Sequence, residues 1–211
     1  MIKSIVFDVG GVLMADVPLR KIAEELSLRF SMCDEELHSY LYPTEHWTLL
    51  TLGKISEDEY WDHFLKASQV DLDKGELKEK VRMALRPIAD NVELIPQLKD
   101  KYELAILSNH AKEWSQFMIK EFDFFRHFHH IIFSCDVGLR KPDPQIYKLA
   151  MTKLGCEAEE CLFIDDKQRN TDGAQKVGMK TIVLENTSRL REELFNFGVV
   201  LGGISHVKKQ K

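Results

Sequence analysis

Charge-handling side chains recur at the ends of short apolar stretches in this sequence. Asp8 follows IKSIVF, Ser108 and Asn109 close ELAILSN, Lys141 sits in DVGLRKPDP, and the adjacent acids Asp165 and Asp166 follow CLFI. Carboxylates, an ammonium group and a hydroxyl can together hold a hard cation, neutralise an anion or attack an electrophile. One acid or serine beside a turn means little, because both are ordinary turn formers. All of them along one edge of one sheet would mean much more, since ligands of open parallel sheets collect beyond the carboxyl ends of the strands.

The elements that must position them are legible as patterns. IKSIVFD reads as a buried strand stopped by Gly10 and Gly11. ELAIL, HIIFS, CLFI and TIVL repeat that form, separated by amphipathic stretches carrying Trp114, Phe117 and Met118, then Ile146, Leu149 and Ala150. Such alternation predicts βαβ units and a parallel sheet. Between the first strand and the rest, Leu19, Ile22, Ala23 and Leu26 follow helical spacing, and Ser56 with Glu59 makes a capping box. The predicted fold class is α/β: a Rossmann-like, five-stranded parallel core built from residues 1–14 and 88–211, with an inserted α-helical domain over residues 15–87.

Local context separates chemistry from packing. A lone lysine is ordinarily a surface residue. Pro142 makes the Lys141 backbone extended, and Asp143 and Pro144 read as N-cap and first residue of the next helix, so Lys141 is held facing the strand ends. Gly173 and Gly178 read as packing and C-cap positions. His127, His129 and His130 alternate on a strand approach and do not read as a metal site. His110 reads as a loop residue, and Trp47, Tyr60, Trp61 and Phe64 mainly as core at helical spacing, with one of them available to line a pocket.

Bulk properties narrow the function classes. An apolar fraction of 44% in 211 residues is ample for a core, and a net charge of −5 argues against a nucleic-acid partner. Cys33, Cys135, Cys156 and Cys161 show no C-x-x-C spacing and read as reduced thiols. The first apolar run is interrupted by Asp8, and no run of about 18 apolar residues occurs, so neither a secretory leader nor a membrane span is expected. The expectation is a cytoplasmic protein with no membrane partner, monomeric or homodimeric. The end of the chain, with Lys208, Lys209 and Lys211, reads as a solvated basic tail.

Taken in order, FDVGGVL, ILSN, RKPDPQIY and FIDDKQRNTDGAQKVGM resemble the four motifs of the haloacid dehalogenase superfamily, and the helical insertion with LGKISEDEYW resembles that family's cap domain. The resemblance implies that Asp8 is the attacking carboxylate and that Lys141 and Ser108 are catalytic. Ser108, Asn109, Gly10, Gly11 and Lys141 would contact the substrate, and Asp8, Gly10, Asp165 and Asp166 would hold Mg²⁺. The implied activity is hydrolysis of a small phosphomonoester, sugar phosphates included, through an aspartyl-phosphate. Adjacent acids at 165 and 166 repel one another unless a cation or basic partner sits between them.

One departure stands out. Most phosphatases of the family carry a second aspartate two residues after the nucleophile, where it protonates the leaving group; here that residue is Gly10. General acid–base assistance is worth roughly 10²–10⁴ in rate. Unless another group replaces it, aryl and anomeric phosphates should be favoured, and Gly10→Asp should raise turnover where the carboxylate fits. Two alternatives follow from the same motifs: a 2-haloacid dehalogenase, whose aspartate attacks carbon without a metal, and a catalytically weak binding protein on the same scaffold.

Overall fold

The computed structural model describes residues 1–16 and 19–202; the basic tail lies outside the described residues. The first strand, β1 (Ser4–Phe7), is followed by five helices: α1 (Leu19–Phe30), α2 (Asp34–Leu41), α3 (Glu45–Thr51), α4 (Glu57–Ser68) and α5 (Lys74–Ala84). Two short helices, α6 (Ala89–Val92) and α7 (Ile95–Lys99), lead into β2 (Glu103–Ser108) and α8 (Lys112–Glu121). The remaining elements are β3 (His130–Phe133), α9 (Ser134–Val137), α10 (Pro144–Leu154), β4 (Cys161–Asp165), α11 (Gln168–Gln175), β5 (Lys180–Val183) and α12 (Leu190–Asn196).

The five strands form one parallel sheet in the order β3-β2-β1-β4-β5. Every residue of β1 is buried, because both faces of the sheet are covered. Ile5 and Phe7 join the larger core, shared with the helical insertion, whereas Val6 packs with Ala105, Leu107, Ile146 and Tyr147 on the opposite face. Strand order reverses between β1 and β4, and Phe7 stands level with Ile106 on one side and Ile164 on the other. Asp8 therefore emerges at the middle of the sheet's carboxyl edge, where a parallel sheet opens a crevice.

The insertion is fastened to the sheet layer along one flank. Ser56 and Glu59 form the expected capping box that starts α4, which places Glu57 in the first turn. The Glu57 carboxylate, only 2% exposed, accepts hydrogen bonds from Trp114 on α8 at 2.7 Å and Trp61 at 3.3 Å. Both terminal nitrogens of Arg82 on α5 also donate to it, at 2.6 and 2.7 Å. Burial alone would raise the pKa of Glu57, but Arg82 and the two indoles outweigh it and hold the acid below the ordinary carboxylate value. Nearby, Ser134 donates to the Thr51 carbonyl, and Gly53, at φ +68°, lies so close to the Cys135 carbonyl that a Cβ there would overlap it. Among the described residues, no helix is long and apolar enough to cross a membrane.

Candidate active site

Each strand end delivers its residue to one crevice. Lys141, 2% exposed, sits between Asp8 and Asp165: its Nζ is 3.0 Å from Asp8 Oδ1 and 2.6 Å from Asp165 Oδ2. Desolvation works against charge on this ammonium, yet the two carboxylates prevail and hold its pKa above the ordinary lysine value. The loop carrying it is fixed as the sequence predicts, with Asp143 capping α10 through the Gln145 N–H at 2.8 Å and Pro144 at the first helical position.

Asp8, Asp165 and Asp166 offer oxygens that all lie within 4.8 Å of one another. The two acids at the end of β4 have different surroundings. Asp165 is held firmly by the protein, taking Lys141 Nζ on Oδ2, the Lys167 N–H on Oδ1 at 2.8 Å, and Asn170 Nδ2 on both oxygens at 2.9 and 3.0 Å. Asp166 has a buried oxygen, Oδ1, with no hydrogen-bond partner. Burial pushes its pKa up to about 6, against the pull of Lys167 and with the repulsion of Asp8, Asp165 and Asp16 added. An unsatisfied carboxylate oxygen beside two other carboxylates is a donor set that suits a hard divalent cation.

A small cavity of about 50 Å³ is lined by Asp8, Gly10, Ser108, Asn109 and Lys141, together with Asp16, Tyr42, Trp47, His110, Arg140, Lys167, Arg169 and Asn170. It adjoins a roomier one of about 220 Å³ under Leu19, Arg20, His38, Tyr42 and Trp47, the two sharing Asp16, Tyr42, Trp47 and Lys167. A larger apolar groove of about 750 Å³ lies along α12, around Phe195, Val199 and Leu201, and holds none of the strand-end residues.

The Gly11 N–H donates to the Met14 carbonyl at 2.8 Å. What Gly11 supplies is room: at φ +72°, a Cβ would stand 2.6 Å from Asp166 Cγ. Asn109, expected as a substrate contact, lines the cavity but commits its amide to Lys141, donating to the carbonyl and accepting from the N–H, both at 2.9 Å. A Cβ at Gly10 would meet Asp16 Oδ1 at 2.9 Å, so a carboxylate added there needs the exposed Asp16 side chain to move aside.

Asp16 escapes the sequence reading because no pattern marks it, and Arg140, Lys167, Arg169 and Asn170, although inside the quoted motifs, receive no role from it. Asp16 lies eight positions after Asp8 and returns to the site only through the turn in which Gly11 bonds Met14. Its Oδ2 accepts from Lys167 at 3.2 Å. His110 is fully enclosed by Trp114 and Phe133 with its N–H on Ser134 Oγ, and burial lowers its pKa to about 4, so the ring is neutral. His129 accepts the Leu104 N–H at 3.0 Å, a structural use that accords with its reading as a non-ligand.

Residues 5–184 match the family model described as haloacid dehalogenase-like hydrolase. The chain is 27% identical over 196 residues to the chloroplastic flavin mononucleotide hydrolase 1 of Arabidopsis thaliana, covering 92% of this chain and 77% of that protein. It is 30% identical over 184 residues to a sesquiterpene phosphatase of Aspergillus oryzae, covering 84% and 87%. Among solved structures, a haloacid dehalogenase family enzyme of Bacteroides thetaiotaomicron superposes with a TM-score of 0.77 at 21% identity, over 92% of this chain and 98% of that one, and has also been solved with magnesium and inorganic phosphate. The L-2-haloacid dehalogenase of Xanthobacter autotrophicus shares the fold at a TM-score of 0.63 and 20% identity, over 95% and 85%. Motif order, sheet topology and the match over residues 5–184 agree, and the chain belongs to the haloacid dehalogenase-like hydrolases.

Proposed function

We propose that this hydrolase is a Mg²⁺-dependent phosphatase acting on a small phosphomonoester, sugar phosphates among them, with residues 15–87 serving as its cap. The observation that carries the reading is the cluster at the strand ends: Lys141 buried between Asp8 and Asp165, with Asp166 completing a three-carboxylate group whose one buried oxygen lacks a partner. Asp8, Asp165, Asp166 and the Gly10 carbonyl would hold Mg²⁺, which when bound supplies positive charge against the phosphoryl oxygens.

The protein's own groups account for the rest. A phosphate dianion resists a carboxylate nucleophile, and catalysis is mostly positioning and neutralisation. Lys141 neutralises Asp8 and presents its ammonium to a phosphoryl oxygen, while Ser108 donates its hydroxyl to another. Asp8 attacks phosphorus and carries the phosphoryl group until water releases it as inorganic phosphate. The departing oxygen needs a proton, and Asp16, beside Gly10 on the wall shared by both cavities, is the carboxylate placed to give it.

The test is a panel of phosphate esters with added Mg²⁺, repeated with chelator and with Asp8→Asn. Metal-dependent release of phosphate that disappears in Asp8→Asn is expected. Turnover of 2-chloropropionate that survives chelation would instead identify a dehalogenase, and equal near-zero rates for both proteins would identify a binding scaffold.

A further inference from the structure

Arg140 and Arg169 both line the cavity that contains Asp8. Elsewhere in the molecule Arg20, Arg29, Arg82, Arg126 and Arg189 each pair with a carboxylate, while Arg86 donates to the Arg82 and Leu85 carbonyls and Arg191 lies on the α12 groove, both away from this cavity. Among the described residues, neither Arg140 nor Arg169 does. Each is tethered only to a neutral hydroxyl of the insertion: Arg140 Nη1 donates to Thr48 Oγ1 at 2.7 Å, and Arg169 Nη2 to the Tyr42 hydroxyl at 3.0 Å. The Nε of Arg140 is buried with no hydrogen-bond partner. Burial and then the positive charge of Arg169 lower the Arg140 pKa. Such an arrangement costs desolvation and repulsion that an incoming anion would remove.

The place of these arginines assigns their use. The phosphoryl group must lie against Asp8, where Lys141 and Ser108 already meet it. The arginines reach Thr48 and Tyr42, on the insertion side, with Trp47 packed edge-on against Tyr42 at 5.6 Å between ring centres. We infer that Arg140 and Arg169 form a second anion subsite, and that the preferred substrate is a phosphomonoester carrying another anionic group, a carboxylate or a second phosphate, a few bonds from the ester. The substrate class rests on the phosphatase reading, whereas the subsite itself does not.

Two matched pairs test it: 2-phosphoglycolate against ethyl phosphate, and propane-1,3-diyl bisphosphate against propyl phosphate, each with Mg²⁺. The expected kcat/KM ratio within a pair is about 10-fold or more in favour of the doubly anionic ester, the contribution of one desolvated charge-assisted hydrogen bond. That ratio should fall toward one in Arg140→Gln and Arg169→Gln, and Arg169→Lys should restore part of it. Which pair shows the larger ratio distinguishes carboxylate from phosphate. Equal loss on both members of a pair would mean that the arginines hold the transferring phosphoryl group, and would overturn the inference, as would an unchanged ratio.

Calorimetric binding of phosphonoacetate against methylphosphonate, neither of which is hydrolysed, separates the two readings. Arginine-dependent preference for phosphonoacetate with no ester turned over sinks the phosphatase and keeps the subsite. Equal binding of the two sinks the subsite whatever the turnover.

Discussion

The side-chain amide of Asn109 holds the backbone of Lys141 at both ends, its Nδ2 on the carbonyl oxygen and its Oδ1 on the N–H, each at 2.9 Å. A residue at the end of β2 thereby fixes the loop that carries the ammonium group between Asp8 and Asp165. Asn109→Asp keeps the acceptor but sets a carboxylate oxygen against the Lys141 carbonyl. Losing one such bond and leaving the carbonyl unpaired costs about 1–3 kcal/mol. We expect kcat to fall roughly 10- to 100-fold with p-nitrophenyl phosphate while far-ultraviolet circular dichroism is unchanged. A variant with wild-type kcat would show that Lys141 needs no such support.

Glu57 should behave as a structural acid with no part in turnover. Glu57→Gln removes the acid that Arg82 pairs with and, since both indoles share Oε1, sets the amide nitrogen against Arg82 Nη2, a loss of about 3 kcal/mol by comparison with other broken buried pairs. Because the folded pKa lies below the ordinary value of 4.5, the contribution is fully present above that pH and is lost as pH falls through the folded value. Urea unfolding should therefore separate wild type from variant at pH 7 and bring them together in strong acid.

Asp166 gives the opposite sign. With its folded pKa raised to about 6, the metal-free protein loses stability as pH rises from the unfolded value of 3.8 through 6, since the folded state holds the proton more tightly. A bound cation takes the place of that proton. Added Mg²⁺ should thus raise the melting temperature more at pH 7.5 than at pH 5, and Asp166→Asn should abolish the difference. A pH-independent increment would remove Asp166 from the cation site.

The glycines after Asp8 are predicted to resist substitution for different reasons. Gly10→Asp would place a side chain 2.9 Å from the Asp16 carboxylate, two acids in one space, so turnover should drop instead of rising. Gly11→Ala adds strain at φ +72° and pushes on Asp166, so its first symptom should be weaker activation by Mg²⁺. Shortening Asp16 to Ala in the Gly10→Asp background should recover turnover of p-nitrophenyl phosphate, whose leaving group needs no proton donor, and failure to do so would mean that the space is not shared.

If Asp16 protonates the departing oxygen, Asp16→Asn should lower turnover of ethyl phosphate by roughly 10²-fold while sparing p-nitrophenyl phosphate, whose leaving group needs little help. Equal losses on the two esters would assign Asp16 to holding Lys167 instead.

The sheet was readable because its strands are covered on both faces, so that IVF and CLFI show as unbroken apolar runs with an acid at the end. Asp8, Ser108, Lys141 and Asp165 are readable for the same reason: each ends or follows a run. The capping residues Ser56, Glu59 and Asp143 are readable because they act on the chain immediately beside them. Asp16, Arg140, Arg169 and Asn170 are not, since their importance comes from tertiary neighbours that no local spacing encodes. Asn109 shows the intermediate case, with its position evident but its partner being a backbone 32 residues away.

The flank held by Glu57 and Trp114 and the opposite seam at Tyr42 and Arg169 are unequal in strength. Along the first, parting the layers would take from the buried Glu57 carboxylate its Trp114 donor; along the second, it would release single bonds to hydroxyl groups that water replaces at little cost. Opening at the arginine side therefore breaks less than opening at the Glu57 flank. On the proposed phosphatase reading, product would leave past the same two guanidinium groups that meet the incoming ester.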